Sequence, residues 1–161
     1  MITDNRTIDQ KYRSAVAGLY GRLKSNYDSL CEKFGDDGLE LVAEMSRTYG
    51  VEIAARARGA LRGNDIKTVG EYLIRIFNTM GEGSIVTENT DERVVIRVDR
   101  CPLNFTRTDM CLAHTEMETE VVRGLNPALR YRIGRSIPAG DSYCEHILEK
   151  ANEGDGGPVN K

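Results

Sequence analysis

The hydrophobic period of this chain changes once, and that change dictates the fold class. Up to residue 80 apolar residues recur every three or four positions. After "GEG" at 81–83 they alternate, except in one segment between residues 106 and 125. The first spacing lines up side chains along one stripe of a helix, and alternation lines them up on one face of a strand. Residues 7–34 carry Ile8, Tyr12, Val16, Leu19, Leu23, Tyr27, Leu30 and Phe34 at helical spacing, and "GDDG" ends the run. A second stripe follows through Leu39, Val42, Met45, Tyr49, Ile53, Ala57 and Leu61, with Gly50 as a candidate kink and "RGND" as its stop. A third helix is expected from Thr68 to Met80.

Beyond residue 83, "SIVTENT" and "DERVVIRVDR" read as paired strands, the second closed by Cys101-Pro102 because proline cannot continue a central ladder. Thr106 is the expected N-cap of a fourth helix, with Asp109 at its third position, Gly124 as its cap and Pro127 barring continuation. "ALRYRIGRSI" and "SYCEHILEK" are the last two strands, joined by the turn "PAGD". The expected fold is therefore α+β: three N-terminal helices followed by a ββαββ antiparallel sheet unit, with helices covering one face. Residues 1–150 are expected to form one domain, helical through 81 and sheet-containing from 82. The remainder, 151–161, has no apolar anchor and is expected to be disordered.

Several function classes drop out on composition. No run approaches the roughly 18–20 apolar residues of a membrane span, and "MITDNRTIDQKYR" has no apolar signal core, so a cytoplasmic location is expected. The net charge of −3, with both signs mixed along the chain, offers no electrostatic footing for nucleic acid. The basic run "ARARGALRG" reads as a solvated helix face. A small-molecule ligand or substrate is the expected partner, and the long N-terminal helices also offer a homodimer contact.

The chain has only four cysteines and two histidines, and most of them gather in two places. On the fourth helix Cys111, His114 and Glu118 stand at i, i+3 and i+7 on the stripe that continues through Val121, Val122 and Leu125. That stripe should face the sheet, so His114 and Glu118 are polar intruders in a core, while Glu116, Glu120 and Arg123 should be solvated. On the last strand Cys144, His146 and Leu148 share a face, and Cys101 lies at the mouth of the helix. A buried carboxylate or imidazole costs several kcal/mol unless paired, so the set calls for an explanation. Three remain open. Cys111 is a thiolate nucleophile with His114 as base and Glu118 assisting. Alternatively Cys101, Cys111, His114 and Cys144 form a zinc set, although the paired CxxC knuckles of strong zinc sites are missing. Or the cysteines are small buried hydrophobes. No cofactor beyond that zinc is suggested, since phosphate-loop and dinucleotide motifs are absent.

The succession "RVDRCPL", "MCLAHTEMETEVVRGLNPALRY" and "RSIPAGDSYCEHIL" resembles the L-2-amino-thiazoline-4-carboxylic acid hydrolase-like family over residues 93–149. The resemblance implies a bacterial or archaeal hydrolase acting on a C–N or C–S bond of a heterocyclic or amidine-like substrate. It carries Cys101, Cys111, His114, Asn126 and Cys144 over as motif residues, with Asn126 and His146 assigned to substrate. The chain also resembles, more distantly, the vinyl-reductase-type small-molecule-binding domains, some of which hold zinc. The acid and cysteine expected before the last turn are missing from "GRSIPAGDSYC". This second resemblance implies a non-catalytic binding or sensing domain.

Overall fold

The computed structural model describes residues 5–80 and 83–151. Its order is α1 (Ile8–Phe34), α2 (Asp36–Arg58), α3 (Ile66–Thr79), β1 (Ile85–Asn89), β2 (Arg93–Val98), α4 (Thr108–Leu125), β3 (Leu129–Ile133), a short 3-10 turn Ile137–Ala139, and β4 (Cys144–Lys150). This is the expected α+β succession of four helices and a four-stranded antiparallel sheet. Apart from Ala151, the expected disordered tail lies outside the described residues. Among the described residues no helix is long and apolar enough to cross a membrane.

The strands lie in the order β1-β2-β4-β3, every neighbour antiparallel. The last strand is thus central, with Ile96 opposite His146 and Val98 opposite Cys144. Helices α3 and α4 pack on the face that carries Val94, Ile96, Tyr131 and Leu148. On the other face Val95 and Ile147 sit opposite each other, flanked along the register by Arg93, Arg97, Arg132, Glu145 and Glu149. Both are buried although no helix covers them, as expected where long arginine stems lie over apolar surface. Arg93, Arg130 and Arg132 all pair with Glu149, and Arg132 chiefly holds its carboxyl below the usual range.

Local chemistry sets the helix starts. Thr7 and Gln10 close a reciprocal capping box on α1, and Asp65 caps α3 through the Lys67 and Thr68 amides. Helix α4 begins one residue later than the sequence suggests: Arg107 is its N-cap, and Asp109 pairs with the Arg107 guanidinium. Its end also differs. Gly124 lies within the helix and Asn126 is the cap.

The reason is the crossing of α4 with α2. A Cβ at Gly124 would stand 2.6 Å from the Ala54 Cβ, and one at Gly50 would stand 2.4 Å from the Met117 carbonyl oxygen. Both glycines serve close approach, and α2 runs unbroken through Gly50. This contact also turns α2 away from the stripe expected from its large residues. The buried side of α2 is Val42, Ala43, Ser46, Gly50, Ala54 and Ala57, whereas Met45 and Tyr49 are half exposed. Helices this close admit only small residues between them. Glu120, expected to be solvated, is buried in the same crossing and pairs with Arg123. Gly50→Ala should therefore destabilise the fold by about 2 kcal/mol through overpacking, against the helix preference for alanine. Thermal melts should show a midpoint about 4–8 °C lower. A rise would mean that the crossing has slack.

Candidate functional site

The buried apolar residues divide into two cores. One fills the space between the sheet and helices α3 and α4, around Val69, Leu73, Ile96, Val122 and Leu148. The other joins α1, α2 and the segment between β2 and α4, around Tyr27, Val42, Leu103, Phe105 and Met110. A small cavity of about 50 Å³ lies at the seam between them. Phe77, Val98 and Cys144 line it from the first core, and Leu103, Phe105 and Cys111 from the second.

Most of the polar candidates meet at this seam. Cys111, His114, Thr115 and Glu118 reach it from one face of α4, as their helical spacing requires. Cys144 and His146 reach it from β4 by strand alternation, and Cys101 closes it from the end of β2. Asn126 does not belong. Its side-chain amide donates to the Asn64 carbonyl and its oxygen accepts from the Ala128 amide, so it fixes the exit from α4.

Two tyrosines missing from the sequence-based site hold the histidines. The Tyr27 hydroxyl lies 3.3 Å from His114 Nδ1, and the Tyr131 hydroxyl lies 2.5 Å from His146 Nδ1. Phe105 meets the His114 ring edge-on at 5.6 Å, and Phe77 packs on the His146 ring at 4.6 Å. The only signal for the tyrosines in the sequence was position: Tyr27 on the apolar stripe of its helix, Tyr131 on the inward alternation of its strand.

Burial dominates the electrostatics. It pushes His114 down to about 4 and His146 to about 4, the latter helped by the neighbouring His114. Both imidazoles are neutral at pH 7. Burial raises Glu118 to about 7, and Glu118 Oε2 has no hydrogen-bond partner. Burial, reinforced by Cys144 and then Cys101, raises the Cys111 thiol to about 11.

These values bear on the chemistry expected from the sequence. A thiol at about 11 is protonated at neutral pH and a poor nucleophile. His114 turns Nδ1 to Tyr27, and burial rather than a thiolate sets its proton affinity. Among the described residues no three His, Cys, Asp or Glu side chains are arranged to hold a metal ion. Cys101, Cys111, His114 and Cys144 of the zinc set line the same cavity.

A wider cleft of about 970 Å³ opens next to this cavity, between α1, the end of α3 and the segment after β2. Cys101, Pro102 and Phe105 line both spaces, so this short segment is the wall between them.

No protein-family model matches the chain, and no curated protein matches it. The hydrolase-family resemblance therefore rests on its short motifs alone. Solved structures share the fold, two of them as follows. A trafficking protein particle complex subunit 3 from Naegleria fowleri, covalently bound to palmitic acid, is 18% identical with a TM-score of 0.57, over 83% of this chain and 96% of its own. The phenol-responsive sensory domain of the transcription activator PoxR, with phenol, is 13% identical with a TM-score of 0.58, over 81% of this chain and 74% of its own. At these identities the likeness is one of fold alone, a small α+β arrangement.

Proposed function

We propose that the chain is a small-molecule-binding domain that holds its ligand at the seam cavity and releases it unchanged. The observation that carries this reading is the cavity itself. Two tyrosine-held neutral imidazoles and a buried carboxyl group with one oxygen lacking a hydrogen-bond partner face a void with aromatic walls, beside a cleft wide enough to admit a ligand. The cavity of about 50 Å³ takes only the polar head of a ligand, and the cleft of about 970 Å³ beside it supplies the space that ligand sites usually have. The two structures of like fold, one with phenol and one with palmitic acid, support the same reading. The hydrolase alternative has less to stand on, since its nucleophile is a neutral thiol and its base is turned to Tyr27.

Phenol and palmitate are the first ligands to test, by thermal melting and calorimetry on the whole chain. A ligand at 100 times its Kd should stabilise the fold by about 2.7 kcal/mol, raising the midpoint by about 5–10 °C. Cys101→Trp, which fills the wall between cleft and cavity, should abolish the shift. The bound compound should be recovered chemically unaltered. If neither compound moves the midpoint, or either is consumed, this reading is wrong.

A further inference from the structure

We propose, resting on the reading of the seam cavity as a ligand site, that it receives the ammonium head of a small primary amine, held by Glu118. Glu118 is 6% exposed, lines the cavity and leaves Oε2 without a hydrogen-bond partner. The titratable groups around it are His114 and Cys111 on its own helix, His146 and Cys144 on β4, Cys101 on the β2–α4 segment, and Tyr27 on α1 behind His114. No lysine or arginine lines the space. The imidazoles are neutral at pH 7, so nothing in the wall supplies a countercharge. A desolvated carboxylate with no countercharge and one oxygen without a hydrogen bond is costly to bury, and a cationic ligand offsets that cost.

The cation is organic rather than metallic, because among the described residues no three ligating side chains are arranged around one point. An ammonium needs no such cage. Its three N–H donors point apart, and Glu118 can take one while a histidine Nε2 takes another in the tautomer whose Nδ1–H donates to the tyrosine oxygen. Phe77 and Phe105 add aromatic surface beside the charge. The volume of about 50 Å³ suits a head the size of a water molecule or two. The body of the ligand then passes Cys101 and Phe105 into the cleft, where Tyr12, Val16 and Tyr20 offer apolar contact.

The test is calorimetric titration of the whole chain with benzylamine and with its neutral isostere benzyl alcohol, using wild type and Glu118→Gln. At pH 8 benzylamine should bind at least tenfold more tightly than benzyl alcohol. That advantage should shrink about tenfold at pH 6, where Glu118 must give up a proton first. It should vanish in Glu118→Gln, whose folding is checked by its melting transition. Equal affinities, an advantage that survives the substitution, or no binding of benzylamine would each overturn the proposal. If benzyl alcohol or phenol binds where benzylamine does not, the ligand-site reading stands and only the amine falls. If all three are silent, both fall.

Discussion

Glu118→Gln is expected to raise the unfolding midpoint of the ligand-free protein at pH 8 and to leave it nearly unchanged at pH 4. Burial raises the Glu118 carboxyl from 4.5 to about 7 in the folded chain. A group raised on folding favours its protonated form there. Its contribution is fully favourable below 4.5 and is lost as the pH climbs through 7. That interval corresponds to about 3 kcal/mol of stability withheld at pH 8. Glutamine keeps the shape without the charge, so its variant should melt about 6–12 °C higher at pH 8. A lower midpoint at pH 8 would mean that the carboxylate has a partner. An equal gain at both pH values would mean that the effect is packing and not charge.

The histidines act in the opposite direction. Each is neutral in the fold, with its proton affinity lowered from 6.5 to about 4. The unfolded chain therefore binds more protons, and stability is full above 6.5 and lost as the pH falls towards 4. Between pH 7 and pH 4 each imidazole accounts for about 3 kcal/mol and the pair for about 6, of which protonation of Glu118 returns about 3. Acidification from pH 7 to pH 4 should thus cost about 3 kcal/mol net, read from denaturant midpoints at the two pH values. Replacing either histidine by glutamine should cancel most of that net cost, and replacing both should leave the protein more stable at pH 4 than at pH 7 by about 3 kcal/mol, the gain from Glu118 alone. Acid sensitivity undiminished in the double variant would place the titrating groups elsewhere, among carboxylates such as Asp109 and Glu149 that ion pairs hold low.

These effects come from a site whose polar half was legible in the sequence. Cys111, His114 and Glu118 follow from helical spacing, and Cys144 and His146 follow from alternation along a strand. Cys101 reaches the same place from the segment after β2, although the strand itself stops at Val98, before the Cys101-Pro102 pair expected to end it. Their roles were not legible. Whether Cys111 is an active thiol depends on how deeply it is buried, which no spacing reveals. Tyr27 and Tyr131 come from elements remote in sequence, so their hydrogen bonds to the histidines are facts of packing alone. Asn126 stood out through its motif, yet it only turns the chain.

The same contrast holds for the fold. Element order and sheet type follow from period, because period is a property of neighbours in the chain. Which face of α2 is buried does not. The large residues Met45 and Tyr49 suggest one stripe, but the close approach at Gly50 and Gly124 selects another. The C-terminal end of α4 differs for the same reason, since Gly124 answers to a helix far away in sequence and not to its own terminus.

Tyr27 is the one fully buried residue of α1, a helix of 27 residues, and its hydroxyl also steadies the His114 ring in the cavity wall. Tyr27 thus stands in two places at once: in the second core, where Tyr20, Leu23, Leu30 and Cys31 of α1 pack around it, and at the cavity wall beside His114. A substitution that reshapes this corner of the cavity therefore also disturbs the seating of α1, while the neighbouring contacts keep the helix docked.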